Sequence, residues 1–186
     1  MLTTATMRVR ANFNDNALLK SLIVVYGIVW IVTAINPLYR TDWLLENVLV
    51  AVFLPLLVLT YRFFPLSDLS YLVIALFMML HAVGARYTYA EVPLGYWLRD
   101  AFHLHRNHFD RIVHFSFGLL MAYPIREIFL RLVSVRGFWA YYFPMDVTLA
   151  FSALYEIIEM IVAKLVSPEA GDAYLGTQGD ACVAFL

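Results

Sequence analysis

Five long stretches of mainly apolar residues constrain what this chain can fold into. A helix needs roughly 20 mainly apolar residues to cross the hydrocarbon layer of a membrane. Four stretches meet that requirement directly, and charged residues interrupt a fifth. The predicted spans are 20–36, 44–64, 69–89, 109–132 and 139–166. The sequence therefore predicts an all-α fold, a polytopic transmembrane helical bundle of about five spans in a single membrane domain covering 1–186.

The composition excludes a soluble globular domain. Hydrophobic residues make up 62% of the chain and charged residues 15%, whereas a soluble domain carries about 25% charged residues. The net charge of -1 gives no reason to expect nucleic acid as a partner. Membrane lipids are the expected partners, and the single cysteine, Cys182, excludes an intramolecular disulfide.

The positions of the basic residues predict the orientation of the bundle. Arginines cluster before the first span, at Arg8 and Arg10, and again between Arg126 and Arg136. Positive charge favours the cytoplasmic side, so we expect the N-terminus in the cytoplasm and the protein in a bacterial inner (plasma) membrane. The loop 91–106 and the polar tail 167–186 then lie on the outer side.

Ionisable residues from three predicted spans fall at a similar depth below the outer face. Asp110 and His114 are spaced i,i+4, and Glu156 and Glu159 are spaced i,i+3, so each pair lies on one helix face. His81 of the third span lies at the same level. An ionisable group inside a membrane costs at least ~2.5–3.5 kcal/mol and usually faces the bundle interior and a partner. We therefore predict that these five residues share a pocket.

The residue types in this pocket predict metal or acid–base chemistry. Imidazole and carboxylate ligands suit zinc, iron or manganese, and carboxylate-bearing helical bundles hold metal ions. We assign Asp110, His114 and Glu156 as ligands of a divalent metal, and His81 and Glu159 as catalytic acid–base groups. Two alternatives stay open: His81 as a hydrogen-bonded interior histidine, and Asp110 in an ion pair with Arg111.

Basic and polar residues on the outer side are candidates for binding a substrate. Arg86, Arg99 and Arg106 could hold an anionic headgroup. In the glycine-rich tail, Asp180, together with Asp172 and Gln178, could supply oxygen ligands at the mouth of the pocket. The alternative for the tail is a disordered terminus.

Several motifs resemble the bacterial inner-membrane YjdF family. They are His81–Tyr89, Val92–Pro93, Asn107–Phe115, Arg126–Glu127, Tyr155–Glu159 and Gly176–Asp180. The resemblance implies a multi-pass inner-membrane protein and brings no established activity. Asp110–Phe115 and the Glu-x-x-Glu element are also similar to the VanZ-like membrane proteins, which are linked to glycopeptide resistance.

The chain departs from the YjdF pattern near its end. The family pattern continues after Gly-Asp with Trp-Asp-x-Gln-x-Asp-Met and another apolar helix. Here Asp180 is followed by Ala181–Leu186. The resemblance therefore implies an altered, truncated C-terminus.

Three classes of function fit these observations. The first is a membrane-embedded enzyme, metal-assisted, that acts on a lipid-linked or envelope substrate from the outer face. The second is a small transporter or proton-linked carrier, because intramembrane acids and histidines also mark ion pathways, with a homo-oligomer making up for the short chain. The third is a non-catalytic assembly partner that uses the polar residues only for helix packing.

Overall fold

A computed structural model describes residues 13–166 together with Gly171, Tyr174 and Leu175. This part of the chain begins with a short 3-10 turn, Phe13–Asp15, and contains α-helices but no β-strand. The helices are α1 (Ala17–Ala34), α2 (Arg40–Tyr61), α3 (Asp68–Arg86), α4 (Pro93–Ala101), α5 (Phe109–Leu132) and α6 (Trp139–Leu165). The predicted all-α fold is confirmed.

Four of these helices, α1, α2, α3 and α5, are long and apolar enough to cross a membrane. The fifth long helix, α6, has 27 residues, enough at 1.5 Å per residue to cross the hydrocarbon layer. It also carries Asp146, Glu156, Glu159 and Lys164, and it is not among these four helices. The observed helices agree with a bundle of about five spans.

The helix bounds coincide with the predicted span at α5 and differ from the predicted spans by up to four residues elsewhere. Helix α2 begins at Arg40 instead of residue 44, so Asp42 and Glu46 lie inside its first two turns. Helix α3 ends at Arg86 instead of residue 89. Thr88 and Tyr89 have φ angles of 50° and 54°, a left-handed conformation that L-residues do not propagate as a helix.

Helix α3 lies at the centre of the bundle. It packs against α1 and α5 and more lightly against α2, while α6 packs against α5. The apolar core runs along α3 and α5 through residues such as Tyr71, Phe77, Met78, Val113 and Met121. Outward-facing positions of α1, α2 and α6 carry exposed Val, Ile and Leu side chains, as expected of surfaces that contact lipid.

Consecutive long helices run in opposite directions, so one end of the bundle carries the short helix α4. We call this end the α4 end. Here the guanidinium of Arg86 donates to the carbonyl of Val32 (2.6 Å), and the indole of Trp30 donates to Asn47 (2.6 Å). These hydrogen bonds connect α1 to α3 and to α2 beside the candidate site.

A buried acid organises the opposite end. The Glu127 carboxylate of α5 is fully buried and accepts hydrogen bonds from the Ser67 hydroxyl (2.7 Å) and the Ser70 hydroxyl (2.5 Å) at the start of α3. Arg131 donates to the same carboxylate at 2.8 Å and to the Pro65 carbonyl at 2.6 Å. Because its partners lie at the start of α3 and in the last turns of α5, Glu127 joins α3 to α5 and has a structural role.

Candidate functional site

The α4 end holds two neighbouring sets of polar side chains. The first, which we call the ligand group, consists of His114 of α5 with Glu156 and Glu159 of α6. The second, which we call the buried network, consists of Glu46, His81, Tyr89 and Tyr155. Tyr155 connects the two sets, because it precedes Glu156 in α6 and its hydroxyl donates to Glu46 at 2.9 Å.

The ligand group has the dimensions of a metal site. One ligand atom from each of its three residues lies within 4.8 Å of the others. The i,i+3 spacing places both glutamates on one face of α6, and the packing of α6 on α5 brings that face to His114. His114 and Glu159 are half-buried, whereas Glu156 is exposed, so the group is open on one side.

Asp110 occupies the far side of the His114 ring. Its carboxylate lies 3.3 Å from His114 Nε2, and Glu156 Oε1 lies 3.4 Å from Nδ1. A histidine that ligates a metal through one nitrogen typically donates its other N–H to a carboxylate. The structure thus places Asp110 behind His114 and places Glu159, which the sequence suggested as an acid–base group, among the potential ligands.

His81 is fully engaged in hydrogen bonds. Its Nε2 lies 3.3 Å from the backbone carbonyl of Glu46, and its Nδ1 lies 2.6 Å from the Tyr89 hydroxyl. Because a carbonyl can only accept, Nε2 carries the hydrogen, and Nδ1 accepts from Tyr89. The structure therefore places His81 in the interior role that was the alternative for it, outside the ligand group.

The turn after α3 delivers Tyr89 to this position. Its left-handed conformation folds the side chain back against the helix, and the ring packs directly on Gly84. A Cβ at Gly84 would overlap the Tyr89 ring. The predicted third span ended at Tyr89, whereas the structure places Tyr89 in the turn after α3 and buries it beside His81.

Glu46 is the central acid that sequence reasoning missed. It is 2% exposed, and its Oε2 accepts from Tyr155 and lies 3.5 Å from the Tyr89 hydroxyl. It thereby connects α2 to α6 across the site. The available signal was the i,i+4 pair Asp42 and Glu46 at the start of an otherwise apolar span.

Part of the tail also reaches this region. Tyr174 is buried, and its phenol is hydrogen-bonded to Tyr155. Burial, with a further contribution from Glu46, raises the pKa of Tyr174, so this residue presents a neutral hydroxyl. The candidate residues Asp172, Gln178 and Asp180 lie outside the described residues.

The three candidate headgroup arginines lie on separate segments. Arg86 is bonded to the α1 carbonyl of Val32. Arg99 of α4 pairs with its neighbour Asp100 at 2.8 Å and stacks on the ring of Tyr96. Arg106 lies in the loop before α5. Their role in binding a headgroup stays a prediction.

Residues 18–182 match a family described as "Predicted membrane protein (DUF2238)". The chain belongs to this family. It is also 39% identical, over 168 residues, to the inner membrane protein YjdF of Escherichia coli (strain K12), a match that covers 90% of this chain and 77% of that protein. The resemblance drawn from the motifs is confirmed.

These comparisons establish a multi-pass protein of the bacterial inner membrane. No solved structure matches the chain. Neither description names an activity, and the orientation of the N-terminus stays a prediction.

Proposed function

We propose that this protein is a membrane-embedded enzyme that uses a divalent metal ion to act on a lipid-linked or envelope substrate at the α4 end. The observation that carries the proposal is the ligand group. Three ligand atoms of His114, Glu156 and Glu159 lie within 4.8 Å of one another, and Asp110 lies against the remaining nitrogen of His114.

The donor set fits a metal of the zinc, iron or manganese type. One imidazole and two carboxylates are ligands that these ions accept. Catalytic zinc sites use three protein ligands and keep a fourth position for water or substrate. A metal ion held here would activate a coordinated water and polarise a substrate oxygen.

Neighbouring residues of the protein orient the side chains of the ligand group. Asp110 holds the imidazole plane of His114 so that Nδ1 faces Glu156. Tyr155 fixes the rotation of α6 through its hydrogen bond to Glu46, which keeps both glutamates directed towards α5. The exposed side of the group, at Glu156, is the side from which a substrate headgroup would approach.

The test is metal binding by the purified full chain in detergent. After removal of metals with EDTA, incubation with Zn²⁺ or Mn²⁺ and desalting, elemental analysis should find stoichiometric metal in the wild-type protein. We expect the metal to be lost in His114→Ala and in Glu159→Gln. His105→Ala is the matched control, because His105 is an exposed histidine in the loop at the same end.

The proposed enzymatic activity is tested in cells. Envelope lipids of cells that lack the gene would be compared after complementation with wild-type protein, His114→Ala or His105→Ala. We expect a lipid species to return to its normal level with the wild type and with His105→Ala only. Equal metal content in wild type and His114→Ala, or identical lipid profiles in all strains, would contradict the proposal.

A proton-linked carrier is the second candidate, and the burial of Glu46 favours it. A fully buried acid that is hydrogen-bonded to Tyr155 and close to Tyr89 resembles the proton-relay groups of transporters. Proton flux in liposomes containing the purified protein would distinguish this candidate, with Glu46→Gln expected to abolish the flux. A homo-oligomer would supply the additional helices that a carrier needs.

A further inference from the structure

Asp42 and Glu46 form a second acidic pair that the proposed metal site does not use. They are spaced i,i+4 in the first turns of α2, which places both side chains on one helix face. Each is 2% exposed. Acids are rarely fully buried unless they are paired or bind a metal, so the partners of this pair decide its role.

The two carboxylates differ in their hydrogen bonding. Glu46 Oε2 accepts from the Tyr155 hydroxyl at 2.9 Å. In the described part of the chain, Asp42 Oδ2 is buried without any hydrogen-bond partner. A buried oxygen left in that state is unfavourable, and more so if it is charged. In a native protein it requires an explanation, such as a bound ion or water.

The basic side chains around the start of α2 are bonded elsewhere. Arg40 donates to the Ala34 carbonyl at 3.2 Å, and Arg86 donates to the Val32 carbonyl at 2.6 Å. Both nitrogens of His81 are occupied, one by the Glu46 carbonyl and one by Tyr89. None of these three groups pairs with either carboxylate, so a bound cation would supply the positive charge that these side chains do not provide.

The surroundings of the pair offer oxygen atoms as ligands. Besides the carboxylates, the hydroxyl groups of Tyr89 and Tyr155 lie 3.5 Å and 2.9 Å from Glu46 Oε2. Hard cations prefer oxygen ligands, whereas zinc and copper prefer nitrogen and sulfur. The pair is therefore chemically distinct from the ligand group with its histidine.

We propose that Asp42 and Glu46 bind a sodium ion at the α4 end of the bundle. A monovalent ion fits better than a divalent one for two reasons. Ca²⁺ takes 6–8 oxygen ligands and Mg²⁺ retains several waters, whereas this pair is closed to solvent and Glu46 is already bonded to Tyr155. The site goes beyond the proposed enzymatic function and does not depend on it.

The experiment measures sodium binding by the purified full chain in detergent, with EDTA present to keep the ligand group free of divalent metal. We expect saturable binding of radioactive Na⁺. We also expect NaCl to raise Tm by about 3–6 °C at tenfold excess over Kd, relative to choline chloride at equal ionic strength. Asp42→Asn and Glu46→Gln should each abolish both effects. Asp146→Asn, which neutralises an exposed acid of α6, should change neither.

Three outcomes would overturn this site: equal stabilisation by choline chloride, Na⁺ binding that survives in both variants, or stabilisation by low pH without any Na⁺ binding, which would assign the pair to protons. If Glu46→Gln does not fold, Asp42→Asn decides alone. His114→Ala separates the two proposals, because it should lose divalent metal and keep Na⁺ binding.

Discussion

At the scale of single residues, the site depends on hydrogen bonds that orient its histidines. His114 lies between Asp110 and Glu156, and His81 lies between a carbonyl and a tyrosine hydroxyl. Both rings are held through their two nitrogens. His114 has a carboxylate at each nitrogen, whereas His81 has a carbonyl at one and a hydroxyl at the other. The same residue type therefore has different roles because its neighbours differ.

Asp110→Asn tests the orienting role of Asp110. An amide cannot replace the charged acceptor behind His114, and loss of such a partner typically lowers metal affinity by about 10–100-fold. We expect Zn²⁺ affinity to fall within this range while Tm in the metal-free state changes little. Asp100→Asn, on the exposed surface of α4, is the control, and unchanged affinity in Asp110→Asn would exclude the orienting role.

Gly84→Ala tests the close approach of Tyr89 to α3. The added methyl group would overlap the Tyr89 ring, and overpacking of this kind costs about 1–3 kcal/mol. We expect thermal unfolding in detergent to shift to lower temperature. Gly118→Ala is the matched control in α5, because a Cβ there meets nothing within 4 Å, and it should be neutral or slightly stabilising. Equal Tm values for the two variants would contradict this packing.

At the scale of helices, α6 is the element that completes the site, and it has a large exposed apolar surface. It packs mainly on α5, and many of its apolar side chains, such as Leu154, Ile157 and Ile161, are exposed. Its polar connection across the site is the Tyr155–Glu46 hydrogen bond to α2. Hydrogen bonds between membrane helices contribute roughly 0.6–2 kcal/mol each, so this contact helps to position α6.

Tyr155→Phe removes that connection and keeps the ring. We expect faster amide hydrogen exchange in the second half of α6, unchanged exchange in α1, and metal affinity reduced by several-fold through misplacement of Glu156 and Glu159. The comparison is Tyr142→Phe, which removes an exposed hydroxyl from the first half of the same helix. The positioning role would be excluded if Tyr155→Phe and Tyr142→Phe behaved alike in both measurements.

At the scale of the whole molecule, the acidic residues at the two ends of the bundle have different roles. The end opposite α4 has a fully bonded acid, Glu127, that joins helices. The α4 end holds the ligand group, open on one side, and the Asp42–Glu46 pair, in which Asp42 Oδ2 has no hydrogen-bond partner among the described residues. The hydrogen-bonded acid at one end stabilises the bundle, whereas the acids at the α4 end are those that we propose to bind cations.

The orientation of these ends in the membrane is testable with single cysteines. In a Cys182→Ser background, His105→Cys at the α4 end should react in intact cells with a membrane-impermeant maleimide. Arg136→Cys, between α5 and α6, should react only after permeabilisation, because arginine clusters favour the cytoplasm. The reverse pattern would show that the predicted orientation is wrong and that the site faces the cytoplasm.

The sequence by itself determined the location in a membrane, the all-α fold class and most of the polar residues at the site. Apolar length and helical spacing are local properties, so the spans, the Asp110–His114 pair and the Glu156–Glu159 pair could be predicted without coordinates. Only the tertiary structure decided which of these residues meet. It grouped Glu159 with His114, moved His81 into the interior and brought in Glu46, Tyr89 and Tyr155, because helix rotation and the left-handed turn at Tyr89 depend on packing between segments that are distant in the chain.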